Sequence, residues 1–408
     1  MPSQNSHQQA SNIQSVAGVP VGRREQPDSV SALAEMLASA THSRESVVPV
    51  GGGSHLGIGN PPNGVSVLLS TAGLTRVLAY EPADMTFSVE AGATLESVQA
   101  VLAEHGQALP VEVADAAKAT IGGILATAMY GPKRLGWGTL RDYLIGISVA
   151  YPDGSVAKAG GLVVKNVSGF DLMRMHHGAL GTLGVILSAN FKVLPMPRSE
   201  RTVVANEVGD DELAAIRRAG LSWRGRPAAF EVSSSDGSSA VAIRVDGRER
   251  TTDILASELA SRMTCVTSML DPVASKRFWQ DYVAEFDAGD RPGRWWIRSR
   301  LLPGQTLTAF TASRNALQEL GLRSVEVSAS PGLGFLDFRG SDGGDLGPAL
   351  ARIRDDLPRT SIVAASVEHR RGLDAWGESV DAMELMTRLK REFDPGSTLN
   401  PGRFVGGL

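Results

Sequence analysis

The chain of 408 residues contains one cysteine, Cys265, and no long apolar run. A single thiol cannot build a disulfide framework or bind an iron–sulfur cluster by itself, so we expect a reducing, cytosolic setting. No segment approaches the roughly 18 apolar residues that span a bilayer. The N-terminus lacks the basic and apolar parts of a secretory signal, and the polar residues 1–20 are predicted to form a disordered tail.

Several common nucleotide-binding and catalytic motifs are also missing. The sequence has no G-x-G-x-x-G dinucleotide fingerprint and no G-x-x-x-x-G-K-[ST] loop of the nucleoside triphosphatases. It contains neither H-E-x-x-H nor G-x-S-x-G, and no metal site is predicted. The net charge of −4 gives no reason to expect a nucleic acid as a partner.

Glycine, in contrast, is concentrated at a few places in the first half of the chain. Gly51, Gly52 and Gly53 directly follow the β-like segment SVVPV. Without side chains, successive backbone N–H groups can converge on phosphate oxygens, and Ser54 and His55 would add two further donors. The alternative interpretation is a tight, flexible turn.

A second glycine pair lies at the start of a predicted helix. Thr120 is predicted to open a helix over residues 121–130, which places Ile121, Gly122 and Gly123 in its first turn. The free N–H groups and the dipole of such a turn favour an anion. Close helix packing is the alternative, but a second candidate anion site in the same domain favours a ligand.

A third group of glycines precedes a predicted strand at residues 185–193. Gly178, Gly181 and Gly184 offer bare backbone that could accept an adenine or a ribose, with residues 185–187 as the floor. A tight loop before the strand is the weaker alternative. Together, the glycine segments predict one large and mostly buried cofactor.

Other polar residues are weaker candidates. His176 and His177 would point about 100° apart on a helix, so a core role is favoured over a shared metal. Lys165 and Arg141 could face a phosphate, but solvated charge is the default interpretation. The charged run at residues 368–371 is predicted to lie on the surface.

The pattern of predicted helices and strands indicates an α+β protein. Strand and helix signals alternate up to about residue 198 without the regular spacing of a doubly wound sheet, and charged helices then alternate with β-like runs. The predicted segments are a tail (1–20), a cofactor domain (21–198), a smaller α+β cap on the substrate side (199–350) and a C-terminal segment that returns to the first domain (351–408).

Five segments, in this order, resemble the FAD-binding domain of the vanillyl-alcohol oxidase / p-cresol methylhydroxylase (PCMH) superfamily. They are VVPVGGGSHLGIG, FSVEAGATLESVQAVLAEHGQALP, ATIGGILATAMYG, LRDYLIGISVAYPDGS and SGFDLMRMHHGALGTLGVI. FDPGSTLNPGR resembles the closing motif of the same superfamily. GPKRLGWGTLRDYLIG and VVKNVSGFDL add a similarity to the FAD-binding E subunits of glycolate oxidase within it.

The resemblance implies a PCMH-type FAD-binding domain of two α/β subdomains with a smaller cap. It also implies the residues that hold FAD, since each family motif has a counterpart in this chain. Ser54 stands where covalent members carry the flavin-linked histidine and His55 is one place late, so the resemblance implies non-covalent FAD. The implied contacts are Gly51, Gly52, Gly53, Ser54 and His55 (first pyrophosphate loop), Thr120, Ile121, Gly122 and Gly123 (second contact), Gly181, Thr182, Gly184, Val185 and Ile186 (adenine side), and Asn400 and Arg403 (closing motif near the flavin).

The resemblance further implies an FAD-carrying subunit of a glycolate oxidase-type complex, together with a catalytic flavin subunit and an iron–sulfur subunit. Its substrate class is the 2-hydroxy acids, and its location is the cytoplasm or, through its partners, the inner face of the cell membrane. The metal-binding pattern H-x-G-D-G-N-x-H of catalytic members is absent, and no catalytic base is identified. The alternatives are a standalone FAD oxidoreductase that acts on a hydroxy acid or alcohol and a flavin-binding scaffold without activity.

Overall fold

The computed structural model contains two adjoining parts, a cofactor domain and a cap. It describes residues 13–162, 172–235, 238–263, 265–289, 293–319, 325–341, 346–377 and 380–408. The described helices are α1 (Val30–His42), α2 (Leu95–Ala103), α3 (Ile121–Thr127), α4 (Arg134–Trp137), α5 (Leu140–Tyr143), α6 (Met173–His176), α7 (Asp210–Leu221), α8 (Glu249–Ser261), α9 (Pro272–Ala284), α10 (Thr306–Glu319), α11 (Leu346–Asp356), α12 (Val367–Arg370) and α13 (Met383–Phe393).

The strands fall into sheets of very different size. The described strands are β1 (Ser15–Val16), β2 (Val19–Pro20), β3 (Arg23–Glu25), β4 (Val47–Val50), β5 (Val67–Ser70), β6 (Val77–Glu81), β7 (Thr86–Glu90), β8 (Gln107–Ala108), β9 (Leu144–Ala150), β10 (Val156–Gly160), β11 (Val185–Lys192), β12 (Leu194–Pro195), β13 (Ser199–Ala205), β14 (Ala229–Ser235), β15 (Ser238–Gly247), β16 (Ser268–Leu270), β17 (Trp295–Arg300), β18 (Glu326–Ser330), β19 (Phe335–Gly340) and β20 (Thr360–Ala365). This mixture confirms the predicted α+β class.

The first subdomain is a three-stranded parallel sheet in the order β3-β5-β4, covered by α1. The side chain of Ser29 accepts a hydrogen bond from the Ala32 N–H and so caps α1. Leu33 and Leu37 are fully buried against β5, whose residues are all buried. The sheet therefore fixes the end of β4, where the glycine loop begins.

The second subdomain is a five-stranded antiparallel sheet in the order β10-β9-β11-β7-β6. Thr94 caps α2, and Leu95, Val98 and Leu102 are buried on its inner side. β9 and β10 form a hairpin around the turn at residues 152–154. Helix α3 packs against β11, so its first turn lies next to the glycine loop.

The cap is built on one eight-stranded sheet in the order β16-β13-β15-β14-β18-β19-β17-β20. The described pairs within it are all antiparallel. The predicted boundary at residue 350 is too early, because β20 completes this sheet beside β17 and α11 runs across the boundary. The C-terminal return thus begins later, and a bridge between Val47 and Leu399 joins it to the parallel sheet.

Two further expectations differ from the structure. The predicted tail ends before residue 20, since β1 pairs with β2 and Val16 is fully buried. Helix α3 ends at Thr127 rather than at residue 130, because Ala128 adopts a left-handed conformation (φ 54°) that closes the helix. No helix within the described ranges is long and apolar enough to cross a membrane.

Candidate functional site

A groove runs between the loop that follows β4, the first turn of α3 and the turn before β11. The closing segment of the chain forms its fourth side. The residues that line the groove are Pro49, Val50, Gly51, Gly52, Gly53, Ser54, His55, Leu56, Thr71, Thr120, Gly122, Gly123, Ala126, Thr127, Leu180, Gly181, Gly184, Val185, Ile186, Asn400 and Arg403. Segments more than a hundred residues apart in sequence therefore meet at one site. Of the predicted site residues, only Ile121 and Thr182 do not line it.

Two glycines of the loop after β4 are required by packing. A Cβ on Gly51 would overlap the side chain of Thr120, and a Cβ on Gly52 would overlap the carbonyl oxygen of Lys118. Gly53 has φ +77°, a conformation that side chains rarely adopt. The glycines therefore serve tight packing, and the same packing places the loop beside the start of α3, where a ligand could bind. The two interpretations of this loop, a tight turn and a ligand-binding loop, are thus both compatible with the structure.

The first turn of α3 does not offer free N–H groups, and this part of the prediction is wrong. The Ile121 N–H donates to Ala93 O (2.9 Å), and the Gly122 N–H donates to Ala91 O (2.8 Å). The Gly123 N–H donates to Thr120 Oγ1 (3.3 Å), which caps the helix. Bonds to the segment after β7 and the capping bond thus occupy these amides, and only the helix dipole and the bare glycine backbone remain for a ligand.

The loop after β4, in contrast, has backbone N–H groups that make no hydrogen bond within the described part of the chain. Among the described residues, none of the amide N–H groups of residues 51–56 donates a hydrogen bond to another group of the protein. Such a run of unpaired amides beside a positive group is suited to an anion. Of the two anion sites predicted from glycine, the structure therefore supports this loop as the one that supplies backbone donors.

Arg403 provides the positive group. Its guanidinium is buried, donates to Leu56 O (2.8 Å) and Ile58 O (2.6 Å), and leaves Nε without a hydrogen-bond partner in the described part of the chain. Burial, together with repulsion from Arg370, lowers the pKa of Arg403 to about 10, so it stays charged at neutral pH. An orphaned buried donor on a charged group favours an anionic ligand.

The position of Arg370 differs from the prediction for the charged run at residues 368–371. The run at residues 368–371 does not lie on the surface as a whole, because His369 and Arg370 are buried in α12. Arg370 donates to Gly57 O (2.6 Å) and Gly59 O (3.2 Å) and so ties the cap to the loop that also carries the groove. The only sequence signal for this role was the position of two arginines after a buried β-branched strand.

The opposite wall is held by the closing segment. The Asn400 side chain donates to Leu180 O (2.5 Å), and Lys390 Nζ donates to Thr182 O (2.8 Å) and Leu399 O (2.9 Å). Thr182 itself turns away and donates to Ala179 O, which explains why it does not line the groove. Asn400 is therefore a positioning residue for the turn at 180–181.

The histidines are structural, as expected. His176 is buried beside Tyr151, and His177 stacks on Tyr130 and bonds its hydroxyl group at 2.8 Å. Burial lowers the pKa of His55, His176 and His177 to about 4 each, so all three are neutral at pH 7. The described residues contain no group of three or more potential metal ligands.

Of the two remaining cationic candidates, the structure describes only Arg141. Arg141 is exposed outside the groove. Lys165 lies outside the described residues, as does most of the run VVKNVSGFDL.

Comparison with known proteins identifies the ligand class. Residues 24–160 match the family model of an FAD binding domain, which covers the chain from β3 to β10 and two of the four sides of the groove, the loop after β4 and the first turn of α3. Two solved structures of alkyldihydroxyacetonephosphate synthase have the same fold, with TM-scores of 0.67 and 0.68 over 94% of this chain and 76–77% of theirs. At 16% identity this similarity concerns the fold alone.

Curated relatives extend over more of the chain. Glycolate oxidase subunit GlcD of Bacillus subtilis is 24% identical over 92% of this chain and 87% of its own length. Subunit GlcE of Escherichia coli is 29% identical over 53% of this chain and 64% of its own. The mitochondrial cytochrome-type D-lactate dehydrogenase of Arabidopsis thaliana is 26% identical over 98% and 75%. The expected similarity to an E subunit is thus present, beside similarities to a GlcD subunit and to a D-lactate dehydrogenase.

Residues 24–160 therefore form an FAD binding domain, and the similarity of most of the chain to a glycolate oxidase subunit and a D-lactate dehydrogenase indicates an FAD-dependent oxidoreductase. FAD also fits the groove in chemical terms. Its diphosphate would supply acceptors to the unpaired amides of residues 51–56 and to the orphaned Nε of Arg403. Because the donors are fixed by the fold before the ligand arrives, little ordering is needed on binding.

Proposed function

We propose that this chain is the FAD-carrying subunit of a glycolate oxidase-type complex that oxidises 2-hydroxy acids. The single observation that carries the proposal is the groove, in which an amide-rich loop and a buried arginine converge on one anion-sized space. The similarity to two subunits named for glycolate oxidase supports the substrate class. When bound, the flavin accepts the electrons of the substrate, and the protein binds and orients it.

Different groups of residues would bind different parts of FAD. The loop Gly51–His55 and Arg403 would hold the diphosphate, and the bare backbone of Gly122 and Gly123 would allow it to approach α3. The residues at the start of β11 would hold the adenine side: Gly181, Gly184, Val185 and Ile186. Ile121 and Thr182 would support these contacts from behind, since neither lines the groove.

FAD is proposed to bind without a covalent bond. Ser54 follows the glycines directly, and His55 contacts Ser54 Oγ at 3.3 Å through Nδ1. A neutral histidine at position 55 can donate or accept a hydrogen bond. His55 lies one residue further along the chain than a flavin-linked histidine, which would directly follow the glycines. Precipitation of the protein in acid should therefore release all flavin into the supernatant.

The proposed partners are a catalytic flavin subunit and an iron–sulfur subunit. Cys265 is the one cysteine of the chain, so clusters that pass on the electrons must lie on another subunit. Through these partners the chain would work in the cytoplasm at the inner face of the cell membrane.

Copurification tests the assignment to a complex. Tagged chain from its native cell should bring down a second flavoprotein and a cysteine-rich subunit in a fixed ratio, and the complex should reduce a dye with glycolate. If the chain is recovered alone and turns over a 2-hydroxy acid by itself, the standalone enzyme is the correct alternative. Flavin that is reduced by light but never by substrate would indicate a scaffold.

A further inference from the structure

Residues 56–60 continue the loop that follows β4 and contact two other parts of the chain. The Gly57 N–H donates to Ala288 O of the cap (3.2 Å), and the Asn60 N–H donates to Arg403 O of the closing segment (3.0 Å). The unpaired amides of the groove are thus followed directly by a segment that the cap and the closing segment hold in place.

Four successive carbonyl groups of this segment accept hydrogen bonds from two arginines in alternation. Arg403 donates to the carbonyl oxygens of residues 56 and 58 (2.8 and 2.6 Å). Arg370 of the cap donates to those of residues 57 and 59 (2.6 and 3.2 Å). Its Nε also donates to Ala365 O (2.9 Å), so one planar guanidinium connects the end of β20 to the loop. The conformation of the loop therefore depends on both the cap and the closing segment.

The two glycines at positions 57 and 59 permit this close approach. A Cβ on Gly57 would overlap the carbonyl oxygen of Ala288, and a Cβ on Gly59 would overlap that of Arg403. The sequence L-G-I-G at residues 56–59 thus lets the cap approach the loop at one glycine and the closing segment at the other.

The two guanidinium groups also act on each other through their charges. Both residues are buried, with 5% of Arg370 and 4% of Arg403 exposed. Besides burial, repulsion by Arg370 contributes to the lowered pKa of Arg403. An anion beside Arg403 in the groove would offset this repulsion. It would therefore favour the position that Arg370 takes at the loop.

We propose that Arg370 is a positioning residue for FAD, because it and Arg403 together fix the loop that receives the diphosphate. Arg370 is not among the residues that line the groove, so it acts through the loop and not by contact. FAD binding and docking of the cap are then coupled, and each favours the other by the same factor. This inference rests on the proposed binding of FAD in the groove, and it gives the cap a role in holding the cofactor.

Titration of the full-length chain with FAD tests this role. Arg370→Met should weaken FAD binding by about 10-fold, a coupling of typical size. Arg370→Lys keeps the charge but loses the planar fork, so its affinity should lie between. Arg354→Met is the matched control, since this partly buried arginine donates to Thr360 O (3.3 Å) and Asp374 O (2.8 Å), both within the cap. Its loss should leave FAD affinity unchanged.

Hydrogen exchange separates positioning from a general effect on stability. In the wild type, FAD should slow amide exchange at residues 361–376 of the cap, because binding favours the docked cap. This protection should be lost in Arg370→Met and kept in Arg354→Met. A residue that only stabilises the fold would change exchange with and without FAD alike, so the difference that FAD makes would remain.

Guanidinium ion offers a rescue of the missing group. Arg370→Ala leaves space for it, so millimolar guanidinium chloride should restore part of the lost FAD affinity. Sodium chloride at the same ionic strength should restore none. The denaturing effect of guanidinium is negligible at such concentrations.

The outcomes also distinguish this inference from the proposed function. If FAD binds to the wild type and to Arg370→Met alike, or leaves exchange in the wild-type cap unchanged, the coupling is overturned and the flavin assignment stands. If Arg354→Met weakens FAD binding as much as Arg370→Met, the effect is one of cap stability and the proposal is also overturned. If the variants behave as predicted but the chain is recovered without partners, the coupling stands and the assignment to a complex fails. A wild type that binds no FAD overturns both.

Discussion

At the scale of single residues, Arg403 both holds the loop after β4 in place and provides positive charge for the proposed ligand. It lines the groove and donates to two carbonyl groups of the loop at 56–58, and its buried Nε has no hydrogen-bond partner among the described residues. Asn400 and Arg403 were predictable because the closing motif FDPGSTLNPGR is specific. Arg370 was not, since a charged run after a strand looks the same in sequence whether its side chains are buried or solvated.

Arg403→Leu is expected to weaken FAD binding by about 10- to 100-fold, because a charge-assisted hydrogen bond contributes about 1.5–3 kcal/mol. Arg403→Lys should be intermediate, since it keeps the charge but loses the planar fork. Titration with FAD, followed by quenching of flavin fluorescence, measures both. Unchanged affinity in Arg403→Leu would exclude this residue from the site.

Gly52→Ala is expected to destabilise the protein by about 1–3 kcal/mol and to displace the loop, because the new Cβ would overlap the Lys118 carbonyl oxygen. Gly161→Ala is the matched control, since a Cβ there meets nothing within 4 Å and needs no positive φ. Chemical denaturation with and without FAD compares the two. Equal behaviour of both variants would show that the loop has room to adjust.

At the scale of elements, the C-terminal return depends on a buried ion pair in α13. Lys390 bonds Asp394 (2.6 Å) and two carbonyl groups, and Asp394 accepts from the N–H groups of Thr398 and Leu399. An amphipathic helix followed by a fixed tail was predictable from the Pro and Gly pattern. The pairing was not, because a lysine in a charged helix gives no sign of burial.

Lys390→Met should cost about 3–5 kcal/mol, because it leaves the carboxylate of Asp394 buried without its cation. Residues 396–403 should then exchange amide hydrogen faster than in the wild type, and FAD affinity should fall with them. The neighbouring, exposed Arg391→Met serves as control and should change neither. Hydrogen exchange followed by mass spectrometry locates the effect, and protection that stays intact in Lys390→Met would refute this role.

In the cap, the strands could be predicted from the sequence, but their order in the sheet could not. The β-like runs that the sequence predicts after residue 198 correspond to strands of the cap, among them β15, β18 and β20. Their order in the sheet was not predictable, because pairing between segments a hundred residues apart depends on packing rather than on local pattern. The last strand therefore fell on the wrong side of the predicted boundary at 350.

At the scale of the whole molecule, buried neutral histidines make stability depend on pH. The folded pKa of His176 is about 4 and lies below its ordinary value of 6.5. The unfolded chain thus binds more protons between these values, so the stabilisation is complete above pH 6.5 and is lost as pH falls toward 4.

His176→Gln should reduce the slope of unfolding free energy with pH in this window by up to about 1.4 kcal/mol per pH unit. The exposed His42→Gln is the control and should leave the slope close to that of the wild type. Urea denaturation at pH 4 to 7 gives the slopes. A steeper slope in His176→Gln than in the wild type would contradict the assignment.

The central claim is that one FAD lies in the groove between the loop after β4, α3, the turn before β11 and the closing segment. The most direct measurement is a titration of the purified chain with FAD, monitored by absorbance and fluorescence, followed by acid precipitation. We predict saturation at one FAD per chain, release of all flavin by acid and binding that is about 10- to 100-fold weaker in Arg403→Leu. A chain that binds no flavin, or binds it equally well after this substitution, would contradict the account.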